Sequence, residues 1–178
     1  MPVMKKLAVF LVALFGTWML RAEEPANFEV GGLQFSRPAE WQWVEVSSPM
    51  RKAQLKVTGA KEGQAADIVF FYFGAGQGGD AQANARRWLG QFKSTDGAEK
   101  IEPMELKTMK LTLVSTEGTY HSGMPGAATT PLENQALLGA IVEGPEGNIF
   151  VKMTGASELV KASRERFLSF VTSAVAKK

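Results

Sequence analysis

The stretch Asp67-Ile68-Val69-Phe70-Phe71-Tyr72-Phe73-Gly74-Ala75-Gly76-Gln77-Gly78-Gly79-Asp80 runs directly into Ala81-Gln82-Ala83-Asn84-Ala85-Arg86-Arg87-Trp88-Leu89-Gly90-Gln91-Phe92. In its first part the apolar side chains do not alternate with polar ones. Val69, Phe71 and Phe73 would share one face of a strand and Ile68, Phe70 and Tyr72 the other, so both faces need cover. A run of glycines then allows a tight loop, and from Ala81 the spacing becomes helical. At about 100° per residue, Ala81, Ala85, Trp88, Leu89 and Phe92 fall on one apolar arc, while Ala83, Arg86, Arg87 and Gly90 point away. The stretch reads as a doubly covered strand, a glycine loop and one of the covering helices.

Working outward, Ala136 to Val142 shares the two-faced character, with Leu138 and Val142 opposed to Leu137 and Ile141. Two such strands imply a sheet with layers above and below. Arg51 to Val57 is a strand with one wet face, because Ala53, Leu55 and Val57 alternate with Lys52, Gln54 and Lys56. Phe28 to Phe35 alternates around Gly31-Gly32, a hairpin signature. Trp41 to Val46 reads as an extended run with Trp41 and Trp43 on one side, either core or an aromatic platform. Met109, Leu111 and Leu113 mark another strand, and 135–143 and 148–154 form a hairpin through Gly144-Pro145-Glu146-Gly147. A second helix is predicted from about Ser157, its N-cap, to Val175, with Val160, Phe167, Phe170, Val171 and Ala174 inward. Helices so few and so unevenly placed exclude alternating βαβ units. The predicted fold class is α+β, a mostly antiparallel β-sheet sandwiched between helices.

Residues 1–22 read as a signal peptide. Lys5 and Lys6 precede the apolar run Leu7 to Leu20, and Ala22 is the expected last residue before cleavage. The run is shorter than the roughly 20 residues a spanning helix needs, so no stable membrane insertion is expected after its removal. The remainder, 23–178, is expected to form a single α+β domain, exported to the periplasm or beyond the cell. With no cysteine in the chain, disulfides and lipoprotein attachment are excluded. Lys5, Lys6 and Arg21 leave with the signal, so 20 basic against 18 acidic residues becomes 17 against 18. A near-neutral domain gives no warrant for nucleic-acid binding.

The segment Leu33-Gln34-Phe35-Ser36-Arg37-Pro38-Ala39-Glu40-Trp41 resembles the early strand, proline and tryptophan of the PsbP-like family. The strand Phe150-Val151-Lys152-Met153-Thr154-Gly155, leading into the last helix, supports that resemblance. The order of elements follows the family over nearly the whole of 23–178, whereas the glycine loop and the Arg86-Arg87-Trp88 helix have no counterpart in it. The resemblance implies a PsbP-like α/β/α sandwich. Because the family includes photosystem accessory subunits, it also implies an accessory or binding role more than an enzymatic one.

Several residue groups could carry chemistry. Gly74, Gly76 and Gly79 fit the G-x-G-x-x-G spacing of a dinucleotide site, but Asp80 at the helix start would occupy the free amides and repel a phosphate. Arg87 with Asn84 and Gln91 makes a polar stripe on the helix, suited to a carboxylate, a phosphate or a protein partner. Tyr120 and the lone His121 stand at the entrance of the loop from Ser122 to Leu132. Asn84, Arg87, Gln91, Tyr120 and His121 are therefore the candidate binding residues, for an unknown protein partner or small ligand. A copper site from His121 with Met124, Met50 or Met104, and a hydrolase site from His121 with Ser115 or Ser122 and Glu117, are weaker alternatives. No catalytic residue, metal or cofactor is assigned. The leading expectation is a non-catalytic exported binding or accessory protein, the alternative a periplasmic hydrolase using His121 at the 122–132 loop.

Overall fold

The computed structural model describes residues 24–106, 109–121, 130–144 and 146–176. The signal-peptide segment therefore lies outside the described residues, as do Ser122 and Met124. Among the described residues the strands are β1 (Asn27–Val30), β2 (Leu33–Ser36), β3 (Gln42–Trp43), β4 (Arg51–Thr58), β5 (Ala65–Tyr72), β6 (Phe92–Ser94), β7 (Lys100–Glu105), β8 (Lys110–Tyr120), β9 (Leu132–Gly144), β10 (Gly147–Ala156) and β11 (Val175–Ala176). The helices are α1 (Ala81–Leu89), α2 (Ser157–Ala162) and α3 (Arg164–Thr172). An eight-stranded sheet runs β3-β4-β5-β10-β9-β8-β6, with β7 also paired to β8, and every pairing in it is antiparallel. A small second sheet runs β1-β2-β11.

The opening stretch sits where its composition requires. Strand β5 lies inside the large sheet between β4 and β10. Ile68 and Phe70 are fully buried on one face, in a core shared with Phe35, Leu55, Val151, Phe167 and Phe170. Phe71, on the opposite parity, packs against a second core built on Ala85, Trp88, Leu89, Phe92 and Phe150. Strand β9 divides in the same way: Ala136, Leu138, Ala140 and Val142 join the first core, Leu137 and Ile141 the second. Each face thus removes its own set of apolar groups from water, at about 25 cal/mol per Å². On the first face the rings of Phe28, Phe35, Trp41, Phe70 and Phe170 meet with several centroid separations of 5.1–6.4 Å. Trp41 and Trp43 are thus core residues, and only Trp43 belongs to a strand.

Four sequence expectations need correction. The cover of the first face is not helix alone, because the β1-β2-β11 sheet lies in it beside α2 and α3 and contributes Val30, Leu33 and Phe35. The C-terminal helix is two short helices broken at Ser163, whose hydroxyl donates to the Leu159 carbonyl at 2.8 Å and competes with the regular ladder. Ser157 is not a cap: its hydroxyl donates to Glu117 at 2.6 Å, and Ala156 stands at the cap position. Phe92 joins the α1-side core as predicted, but from strand β6, since the helix stops at Gly90.

Helix α1 is held at both ends and in its middle. The Ala83 amide donates to Asp80 Oδ1 at 2.8 Å, so Asp80 is the N-cap and fills the amide site that a phosphate would have needed. At the middle, a Cβ on Gly139 of β9 would lie 2.4 Å from the Trp88 ring, so the indole rests directly on the bare backbone. In the preceding loop Gly78 has φ 89, and a Cβ there would lie 2.7 Å from Phe150. Gly78 is thus the close-packed point of the loop, whereas a Cβ on Gly76 would meet open space.

Candidate binding face of helix α1

The structure redistributes the five candidate residues. Asn84, expected on an open polar stripe, is buried at 4% exposure. Its amide donates to the carbonyls of Gly78 at 2.8 Å and Asp80 at 2.9 Å, fastening the loop to the helix. Its Oδ1 accepts from the Arg87 guanidinium, so Asn84 holds Arg87 in place and offers no surface of its own. Arg87 is exposed and Gln91 half-buried.

Gln91 leads to a residue that the sequence reading passed over. Its Oε1 accepts from the ammonium of Lys152. Lys152 sits on β10, paired with Val69 of β5 on one side and Gly139 of β9 on the other, on the face that α1 covers. Burial, and then the nearby Arg87 charge, pull its pKa from 10.5 to about 8. Tyr120 closes the same space. The backbone at the far end of β8 shifts register between Gly118 and Tyr120, and the phenol ring lies 5.3 Å from the Lys152 ammonium and 4.9 Å from the Phe92 ring. That is cation–π range for the ammonium. Burial raises the pKa of Tyr120, against a smaller pull from Arg51. Arg51, on β4, donates to Gln54 Oε1 at 2.6 Å.

His121 is exposed, and its amide donates to the Gln91 carbonyl at 2.8 Å, which ties the end of β8 to the end of α1. Arg87, Gln91 and Tyr120 therefore do come together around Lys152, and His121 joins them through its main chain. Lys152 was legible in principle, as the one charged residue in the apolar run Ile149-Phe150-Val151-Lys152-Met153.

The remaining sequence suspects lie elsewhere. Glu117 accepts from Ser157 and from Lys161 at 2.8 Å, and with Ser115 it lines a different cleft. That cleft, of about 540 Å³, is bounded by Thr95 to Ala98, Lys100, Val160, Lys161 and Arg164, and none of the five candidates borders it. Met104 packs against the main core. Among the described residues no group of three His, Asp or Glu side chains is arranged to hold a metal ion. Nor, among them, is any helix long and apolar enough to cross a membrane.

No protein-family model matches the chain, and no curated protein matches it by sequence. Among solved structures, the solution structure of cyanobacterial PsbP (CyanoP) from Synechocystis sp. PCC 6803 superposes on it with a TM-score of 0.53 at 11% identity, covering 85% of this chain and 91% of that one. The fold is PsbP-like. The element order from which the resemblance was read is thus matched by a three-dimensional likeness, and at this identity the likeness speaks for the fold alone. The PsbP-like segment Leu33 to Trp41 has a structural role here. Arg37 donates to the Pro25 carbonyl at 2.9 Å and pairs with Glu24 at 3.2 Å, while Trp41 is buried against Phe170.

Proposed function

We propose that this protein is an exported, non-catalytic accessory or binding domain, and that the face formed by Arg87, Gln91, Tyr120, His121 and Lys152 is where it takes a protein partner or a small ligand. The observation that carries the proposal is the convergence of the Gln91 and Tyr120 side chains on the part-buried Lys152, beside Arg87 and at the margin of α1. Charged and aromatic groups prearranged by neutral hydrogen bonds suit recognition, because little side-chain freedom remains to be lost on binding. Export rests on the residue pattern of 1–22 and agrees with a PsbP-like fold held without disulfides.

The test is capture from envelope extract of the producing organism, using purified wild-type protein and Arg87→Glu. A species retained by the wild type and lost by the variant, with an unchanged Tm, is the expected result. Equal retention by both would remove this face from consideration.

A further inference from the structure

Several cations elsewhere on the domain are held by acids. Arg37, Arg164 and Arg166 meet Glu24, Glu102 and Glu40, and Lys61, Lys110 and Lys161 also meet glutamates. By contrast, Arg51, Arg87 and Lys152 each donate to a neutral amide oxygen, those of Gln54, Asn84 and Gln91. The nearest acid in this chain of contacts is Asp67, one link removed, which accepts from the Gln54 amide at 3.3 Å. Amide oxygens position a cation without neutralising it. Two positive charges, Arg87 and Lys152, are thereby brought toward one part-buried spot and their mutual repulsion is left standing, while the Arg51 charge acts on the neighbouring Tyr120.

We infer that this cluster is a binding site for a compact oxyanion, a carboxylate or phosphate group of the ligand or partner, seated between Arg87 and Lys152 with the Tyr120 ring as its wall and Arg51 as a more distant positive charge. The inference rests on the binding face proposed above and names the chemistry it reads. The Arg87 guanidinium supplies a planar fork suited to two oxygens of one anion, and the Lys152 ammonium supplies a point charge. The groups around Lys152 are Gln54 from β4, Val69 from β5, Gly139 from β9, Arg87 from α1, Gln91 just beyond it and Tyr120 from β8. Asp67, two residues from Val69 on the same strand, is the nearby acid; it accepts from the Gln54 amide, while the ammonium donates to Gln91. The depressed pKa of Lys152 follows from the same arrangement, and a bound anion would restore it.

The experiment is an NMR titration of the purified protein with inorganic phosphate and, separately, with acetate, at ionic strength held constant with chloride. The readouts are the Arg51 and Arg87 Nε resonances and the Lys152 pKa. Saturable shifts at Arg87 with a rise in the Lys152 pKa are expected, and Arg87→Gln or Lys152→Met should weaken the response by roughly tenfold. A stronger phosphate arm would point to a phosphorylated ligand, a stronger acetate arm to a carboxylate. If Lys152→Met fails to fold, Arg87→Gln alone decides. Non-saturating shifts, or equal shifts in wild type and variants, would overturn the assignment. Loss of partner capture in Arg87→Glu without any anion response would also overturn it, while leaving the face a binding surface.

Discussion

At the scale of single residues, Asn84 and Lys152 decide how the α1 face is built. Replacing Asn84 by Ala removes the donor to two carbonyls, those of Gly78 and Asp80, and releases Arg87. Losing these part-buried hydrogen bonds costs about 1 kcal/mol, so Asn84→Ala should lower the unfolding free energy in urea by about that amount and blur the Arg87 Nε signal. Lys152 predicts a pH effect of definite sign. Its folded pKa of about 8 lies below the ordinary 10.5. Between those values the unfolded chain binds the extra proton, so this group makes stability rise with pH across that window. Below pH 8 both states are protonated and the full penalty of burying the charge remains. Urea denaturation from pH 7 to 10 should therefore show wild-type stability gaining on Lys152→Met, and a constant difference would refute the burial of that charge.

At the scale of elements, α1 docks through one contact that leaves no slack. A side chain at Gly139 would enter the space of the Trp88 ring, with a Cβ 2.4 Å from it. Gly139→Val should cost about 1–3 kcal/mol by overpacking, measurable as a lower urea midpoint, and should shift the Tyr120 and Gln91 resonances with the helix. Some of these elements were legible beforehand, for a physical reason. Alternation in β4 and two-sided greasiness in β5 and β9 report burial directly, because neighbouring strand residues must face opposite ways. Strands β6 and β11 are too short to show a period, and β7 carries Pro103 among lysine and glutamates. The break at Ser163 depends on one hydroxyl choosing a backbone carbonyl, which no periodicity announces. For the site, helical angle was enough to single out Arg87 and Gln91. It misplaced Asn84, because a polar side chain turned back onto its own loop looks from sequence like an exposed one. Lys152 and Arg51 join the cluster only through strand pairing and the turn of β8, which are tertiary facts.

At the scale of the whole molecule, a PsbP-like sheet with a cover on each face leaves one margin where a charge lies half under a helix. If the chain is exported as its first residues suggest, intact-mass measurement of the protein from the envelope should give a start near Glu23. A mass retaining Met1 to Ala22 would contradict export by cleavage. The most direct test of the binding face uses Lys152 itself, since a lysine with a pKa near 8 is more nucleophilic at neutral pH than its neighbours. Acylation of Lys152 would be read by peptide mass spectrometry in purified protein and in intact envelopes, relative to exposed Lys52 and Lys56. Lys152 labelling is expected to fall in the envelope while Lys52 and Lys56 keep their ratio; equal labelling of Lys152 in both settings would rule out an occupied binding face.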